Sequence, residues 1–103
     1  MRLWMRWVLC FVSDPAHVIR EAVAALKPGG RIIIQDYYNY RSMRLNPESD
    51  TFPPVVDAIV RNWFRTGGNP DVAAVAIELL EAAGLEIEHT QVVARLARPN
   101  DTL

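Results

Sequence analysis

Residues 25–40 read ALKPGGRIIIQDYYNY and contain an abrupt helix stop, a run of isoleucines and a group of tyrosines. Pro28 cannot continue a helix, and Gly29 and Gly30 accept backbone angles closed to other residues, so the sequence predicts a tight turn here. Residues 32–34 are β-branched and uninterrupted, which is typical of a parallel strand covered on both faces. The stretch therefore predicts a helix, a turn and a buried strand in direct succession.

The residues before this stretch predict a strand and an amphipathic helix. Residues 3–12 are a run of large apolar side chains that indicates a strand, although periodicity leaves its end open. Ser13 or Asp14 can cap a helix that begins at Pro15. Apolar residues then recur at three- and four-residue spacing, at Val18, Ile19, Ala22, Val23 and Leu26. Strand, helix and strand within about 35 residues predict a βαβ unit.

Two further helices are predicted in the second half of the chain. The first begins at Pro54, carries apolar residues on one face and ends near Arg65. Gly67 and Gly68 are predicted to stop this helix and are not read as a phosphate loop, because no strand precedes them. A second apolar stripe, over residues 72–83, predicts another helix that ends at Gly84.

The last predicted element is a strand over residues 85–97. Its apolar side chains change from odd to even positions near Thr90 and Gln91, which indicates a bulge or burial of both faces. The element order is then strand, helix, strand, helix, helix, strand. This order predicts an α/β fold.

Composition excludes several classes of function. The chain has 103 residues, half of them apolar, and a formal net charge of −1, which indicates one globular domain without a footprint for nucleic acid or an anionic membrane. The single cysteine, Cys10, cannot form an internal disulfide, and His17 and His89 have no metal-ligand spacing. Residues 1–12 lack a cleavage site and are too short to span a bilayer. We therefore expect a cytoplasmic protein without a metal, nucleic-acid or membrane partner.

The segment MRWVLCFVSDPAHVIREAVAALKPGGRIIIQDYYNY, residues 5–40, resembles the second half of class I methyltransferases that use S-adenosylmethionine. The motifs that carry the resemblance are Arg-Trp-Val-Leu at 6–9, Asp-Pro at 14–15, Leu-Lys-Pro-Gly-Gly at 26–30 and a strand that ends in Asp36. IELLEAAGLEI, at 77–87, is similar to a helix and strand near the C-terminus of that family. The resemblance implies part of a Rossmann-like sheet with flanking helices, in which the first strand ends at about Met5.

The same resemblance implies that parts of the domain are missing. The family's glycine-rich turn, its ribose-binding acidic residue and its adenine-flanking segment have no counterpart in this chain, and neither does a hairpin strand after Leu103. Both ends look cut. We therefore expect residues 1–103 to be the C-terminal portion of one methyltransferase domain, with N-terminal strands missing and residues 41–68 as a substrate-covering insertion.

Candidate cofactor residues follow the first strand. By the resemblance, Met5, Arg6 and Trp7 border the methionine part of S-adenosylmethionine, because the carboxyl edge of an open α/β sheet is where ligands bind. The alternative is that Trp7 belongs to the core and Arg6 pairs with an acid at its edge. Asp36, after the second strand, either orients substrate or caps the next turn.

Candidate acceptor residues are aromatic. Successive side chains alternate along an extended chain, so at most one or two of Tyr37, Tyr38 and Tyr40 face a cleft. Trp63 and Phe64 either line an acceptor pocket or belong to the core. No catalytic residue is identified, because in-line methyl transfer requires positioning and the exclusion of water, without a triad or metal.

The remaining chemistry-bearing side chains have plainer interpretations. His17 is predicted to be solvated in the first turn of a helix, and His89 is a poor candidate for a general base. Cys10 is predicted to be a small buried hydrophobe.

The resemblance thus implies methyl transfer to a small-molecule acceptor, with weak or no cofactor binding and little activity by this chain alone. The rival interpretation is a non-catalytic α/β module that self-associates through exposed strand edges, since a chain this short buries roughly 60 to 65% of its unfolded surface. A dehydrogenase-like nucleotide domain is disfavoured because no Gly-x-Gly-x-x-Gly turn is present.

Overall fold

The computed structural model describes residues 1–101, so predictions that reach Leu103 lie outside the described residues. It has a mixed α/β structure, as the sequence predicts. The elements are β1 (Arg2–Arg6), α1 (Pro15–Ala25), β2 (Arg31–Gln35), a 3-10 turn (Tyr40–Ser42), α2 (Phe52–Arg65) and α3 (Ala73–Ala82). The sheet in this part of the chain has two strands, and the Rossmann-like architecture stays a prediction.

The βαβ prediction is confirmed. β1 and β2 pair in parallel, with Arg2 opposite Arg31 and Arg6 opposite Gln35, and α1 connects them. Asp14 is the cap of α1, because its Oδ1 accepts a hydrogen bond from the backbone N–H of His17 at 3.0 Å. The turn after α1 uses Gly29 at φ +79°, a backbone angle that favours glycine.

β1 is shorter than the apolar run of residues 3–12 predicts, and it ends near the position that the resemblance implies. Trp7 has a left-handed backbone with φ 56°, which terminates the extended chain. Its N–H donates to the carbonyl of Gln35 at 2.9 Å, so the last link to β2 is still made. The chain then turns, and Leu9 and Cys10 enter the core.

The central core joins this loop to the helices. Leu9, Cys10, Ile19 and Val72 are fully buried, and partly buried side chains that include Ile34 and Leu79 pack around them. Since Leu9 and Cys10 precede α1 while Val72 precedes α3, the core fixes the loop after β1 against distant parts of the chain.

Helices α2 and α3 follow the predictions except at one boundary. α2 begins at Phe52 and not at Pro54, because Pro53 and Pro54 both fit in a first turn whose N–H groups have no helical partner. The predicted glycine stops are confirmed, since Gly67 and Gly84 have φ of +96° and +90°.

The strand predicted over residues 85–97 is wrong. The structure has no strand there. The bulge predicted near Thr90 and Gln91 is therefore wrong as well. Val92 and Val93 are each 71% exposed, and an exposed ion pair of 3.4 Å between Glu88 and Arg31 links this segment to β2. A strand requires a hydrogen-bonded neighbour, and no backbone ladder forms with this segment.

None of the helices described over residues 1–101 has the length and apolar composition needed to cross a bilayer.

Candidate functional site

The carboxyl ends of β1 and β2 meet at a group of stacked rings. This aromatic cluster consists of Trp7, Phe11, Tyr37, Tyr40 and Trp63. Phe11 lies nearly parallel to Trp63, with ring centroids 5.2 Å apart and planes 7° from parallel. Tyr37 and Tyr40 meet Trp63 edge-on, at 5.6 and 5.1 Å. Such edge and offset contacts are the favourable arrangements for aromatic pairs.

Trp7 is presented at this edge by a strained backbone. Its left-handed conformation costs about 1–2 kcal/mol in a residue with a Cβ, and strain of this kind concentrates at functional sites. The guanidinium carbon of Arg6 lies 4.2 Å from the ring centroid of Trp7, in a cation–π contact, and Tyr37 lies in a near-parallel plane 6.2 Å away.

The core interpretation of Trp7 is wrong, because its side chain is 48% exposed. Arg6 is also exposed and, within residues 1–101, makes its contact with the indole and forms no ion pair. Met5 lies opposite Ile34 in the sheet register and is half-buried. The role of Met5, Arg6 and Trp7 at a cofactor stays a prediction.

Asp36 joins the two loops that leave the sheet. Its Oδ1 accepts from the backbone N–H of Tyr37 at 2.8 Å, and its Oδ2 accepts from the backbone N–H of Cys10 at 3.2 Å. Each carboxylate oxygen therefore caps a different loop, which is the structural role that the sequence offered as one of two alternatives.

Trp63 is locked in place from α2. Its Nε1–H donates to the carbonyl of Cys10 at 2.6 Å. Gly68 passes so close that a Cβ there would lie 2.7 Å from Cδ1 of Trp63 and would also collide with the carbonyl oxygen of Cys10. The absence of a side chain at Gly68 therefore permits the approach of α2 to the loop after β1.

The predicted acceptor residues divide into two groups. Tyr37 and Trp63 are half-buried and belong to the aromatic cluster, together with Tyr40. Tyr38 and Phe64 are 56% and 51% exposed and do not join it. Neighbours in sequence diverge here because successive side chains of an extended segment alternate, while neighbours on a helix lie on different faces.

The cluster contains no ready nucleophile. Burial, followed by the hydrogen bond and charge of Asp36, raises the pKa of the Cys10 thiol to about 12, so it stays protonated at neutral pH. Burial and the neighbouring Tyr40 also raise the pKa of Tyr37. These two groups are neutral, and the prediction that Cys10 is a small buried hydrophobe is confirmed.

The two histidines stand outside this arrangement. His17 is exposed in the first turn of α1, as predicted. His89 is exposed in the segment after α3, with its Nε2 3.3 Å from Oε1 of Gln91. Neither imidazole lies at the carboxyl edge of the sheet.

A family model described as a methyltransferase domain matches residues 2–34 of this chain. The resemblance seen in the sequence is confirmed over this part of the chain, which comprises β1, α1 and most of β2. No curated protein and no solved structure matches the chain.

The segment matched by the family model leads to the aromatic cluster through the loops after β1 and β2. The matched residues include Trp7 and Phe11, while Asp36 and Tyr37 follow directly after the match ends. Trp63 comes from α2, outside the matched segment. The cluster is therefore built where the residues matched by the family model meet residues that the model does not cover.

Methyltransferases of this family generally use S-adenosylmethionine, and the described residues do not fit that group as a whole. The carboxyl edge presents exposed rings and one guanidinium, whereas both carboxylate oxygens of Asp36 are already engaged by backbone N–H groups. Two cavities lie away from this edge: one of about 370 Å³ between α1 and α3, and one of about 320 Å³ beside the 3-10 turn. The carboxyl edge over residues 1–101 is therefore an open surface of exposed rings, and its role at a cofactor stays a prediction.

Sequence reasoning missed Phe11 and Gly68. Phe11 lies in the loop that the resemblance placed at the carboxyl edge, so its location was an available signal. Gly68 was assigned to a helix stop, and its close approach to Cys10 depends on contacts between residues 58 positions apart, which no local pattern reports.

Proposed function

We propose that this chain supplies one wall of a class I methyltransferase site, which transfers a methyl group from S-adenosylmethionine to a small-molecule acceptor. The observation that carries the proposal is the family match at residues 2–34, whose strands end at the aromatic cluster. Ligands of open α/β sheets bind at the carboxyl ends of the strands. The match supports methyl transfer in general, and the position of the cluster supports the site.

The proposal gives different roles to the residues at the end of β1 and to those that follow β2 or lie in α2. Met5, Arg6 and Trp7 border the cofactor, supported by the strained and exposed indole of Trp7. Acceptor binding falls to the second side, at Asp36, Tyr37, Tyr38, Trp63 and Phe64. Tyr37 and Trp63 have the stronger support, because they pack together at the edge while Tyr38 and Phe64 lie outside the cluster.

Residues 41–68 are proposed to cover the acceptor. α2 lies within this range and carries Trp63 to the edge, where the indole bonds to Cys10. Its apolar residues Val56 and Val60 are buried, which supports a packed and not a detached insertion. The chemistry asked of these residues is orientation of the acceptor and exclusion of water.

We further propose that the chain is the C-terminal portion of a methyltransferase domain and acts in the cytoplasm. The two-stranded sheet and the open cofactor wall support the first part, and the cytoplasm is proposed because the chain has one cysteine and therefore no internal disulfide. By itself the chain is expected to bind cofactor weakly and to transfer methyl groups slowly or not at all.

A titration with S-adenosylhomocysteine tests this proposal. We expect no calorimetric heat at micromolar concentrations, together with small shifts at millimolar ligand in the indole N–H signal of Trp7 but not of Trp4. Trp4 is the matched control, because it is an exposed tryptophan two residues before the end of β1. Micromolar affinity would contradict the single-wall proposal, and unchanged Trp7 signals would contradict the cofactor wall.

A second candidate function is a non-catalytic module that self-associates through its strand edges. Within residues 1–101, β1 and β2 pair only with each other, so each has an outer edge with unpaired backbone groups. Light scattering distinguishes the two proposals: a monomer with a cooperative thermal transition argues against obligate pairing, whereas a stable dimer that dissociates on unfolding supports it.

A further inference from the structure

We infer that Phe11 is a stacking platform for a planar, uncharged aromatic acceptor. This inference rests on the proposed function and names the substrate class for the same site. It assigns acceptor recognition to a residue of the loop after β1, whereas the sequence pointed to residues 36–38 after β2 and to Trp63 and Phe64 in α2.

Phe11 presents one free ring face. Its ring stacks on Trp63 at 5.2 Å and 7°, yet the side chain is 64% exposed. Because Trp63 covers one face of the ring, an exposure this large leaves the other face open to solvent. Scattered exposed apolar residues are normal in proteins, but a phenyl ring held flat against a tryptophan is an oriented surface.

The platform is rigid before any ligand arrives. The N–H of Phe11 donates to the carbonyl of Val8 at 3.2 Å, which closes a turn in the loop. Trp63, beneath the ring, is fixed by its 2.6 Å bond to Cys10 and by the missing side chain at Gly68. A surface that is already ordered loses little conformational entropy on binding, which favours affinity for small ligands.

The chemistry around the ring selects an uncharged planar ligand. Asp36, the acidic neighbour of the cluster, has both carboxylate oxygens engaged by the backbone N–H groups of Tyr37 and Cys10, and burial raises the pKa values of the Tyr37 hydroxyl and the Cys10 thiol. The guanidinium of Arg6 lies over Trp7, 4.2 Å from its ring centroid, and it is Trp63 that stacks on Phe11. An aromatic ring gains an offset-stacking contact on Phe11 that a saturated ring of the same size lacks.

The test uses the full chain, 2-naphthol as the planar probe and its saturated analogue decahydro-2-naphthol as the control. The reporter is the indole N–H signal of Trp63 in a ¹H–¹⁵N spectrum, assigned by elimination with Trp4→Phe and Trp7→Phe. We expect 2-naphthol to shift this signal and to bind about fivefold more tightly than the saturated analogue. Equal binding of the two compounds would overturn the inference.

Variants at position 11 sharpen the result. Phe11→Leu should weaken 2-naphthol binding about fivefold, whereas Phe11→Tyr should retain it. Trp4→Leu is the control, since Trp4 is 65% exposed and lies on β1 outside the cluster, so it should leave the affinity unchanged. An unchanged affinity in Phe11→Leu would contradict the platform. Loss of self-association in Phe11→Leu without any naphthol shift would assign Phe11 to a protein interface and would also contradict it.

These measurements require no cofactor. The platform fails if naphthol binding is independent of Phe11, whatever the outcome with S-adenosylhomocysteine. The cofactor wall fails if Trp7 does not respond to S-adenosylhomocysteine, whatever naphthol does. The two proposals are therefore separable on the same samples.

Discussion

Two apolar segments of this protein, β2 and residues 90–97, have similar composition and opposite structures. β2, RIIIQ, pairs with β1 along its whole length, and Ile34 packs against the central core. Residues 90–97, TQVVARLA, also contain β-branched and long apolar side chains. They are nevertheless exposed, and the side chain of Leu96 is fully accessible to solvent. The difference teaches that strand formation here depends on an available partner and not on β-propensity alone.

The largest expected effect comes from emptying the core that β2 packs against. Ile19→Ala removes a fully buried side chain and should lower the free energy of unfolding by about 2–4 kcal/mol. Urea denaturation measures this change. Leu96→Ala is the matched control and should change stability by less than about 0.5 kcal/mol. Similar losses in both variants would show that the C-terminal segment is packed.

The next effect tests how α2 is held against the loop after β1. Gly68→Ala places a Cβ against Trp63 and Cys10, so we expect a loss of about 1–3 kcal/mol in stability. Gly84→Ala is the comparison, because its φ is +90° but nothing lies within 4 Å of the added carbon. It should cost about 1 kcal/mol from backbone strain alone. A smaller loss at Gly68 than at Gly84 would contradict the close approach.

The sequence predicted the fold where local signals and packing agree. The Asp14-Pro15 cap, the stop at Pro28 and the isoleucine run each have a local physical cause, and all three form at the expected positions, but the isoleucines of β2 are half-buried and not covered on both faces as predicted. The segment after Gly84 was predicted as a strand from its apolar pattern, but a pattern does not report whether a neighbouring edge is available.

The sequence predicted where the candidate site lies, but not which side chains form the aromatic cluster. Strand order led to the carboxyl edge with Trp7 and Tyr37, and the resemblance added Trp63; the structure brings these three rings into one cluster, while their binding roles stay predictions. Phe11 escaped because its importance comes from stacking on a ring 52 positions away in the chain. The separation of Tyr38 and Phe64 from the cluster depends on the direction of each side chain, which residue type does not specify.

A smaller loss of stability is expected from changing Asp36, whose carboxylate joins the loops after β1 and β2. Asp36→Asn replaces two charge-assisted hydrogen bonds with at most one good acceptor contact, so stability should fall by about 1–2 kcal/mol. The pKa of Cys10 should also fall, because the charge and hydrogen bond of Asp36 both raise it. Thiol reactivity against pH measures the second effect. An unchanged Cys10 pKa would contradict the contact.

The thiol also predicts a dependence of stability on alkaline pH. The folded-state pKa of Cys10, about 12, lies above its ordinary value of 9.0, so the folded protein holds this proton more tightly than the unfolded chain. The resulting stabilisation is fully present below pH 9 and is lost as the pH rises towards 12. Unfolding free energies measured across this range should fall less steeply in Cys10→Ala than in the unaltered protein. Identical slopes would contradict burial of the thiol.

The smallest effect is expected from removing the exposed segment. Deletion from residue 89 onward leaves α3 and Gly84 intact and should change the midpoint of thermal unfolding by no more than about 2 °C, since little apolar surface is uncovered. Circular dichroism against temperature measures the midpoint. A loss of several degrees would indicate that residues 89–101 support the fold.

The most direct test of the whole account is amide hydrogen exchange on the full chain. The βαβ unit and the helices behind the aromatic cluster are ordered by mutual packing, whereas residues 90–101 are not. We predict protection of the β1–β2 ladder amides at least about 100-fold greater than at residues 90–101, which should exchange as freely as an unfolded chain. Comparable protection in residues 90–97 would show a paired strand there and would contradict the account.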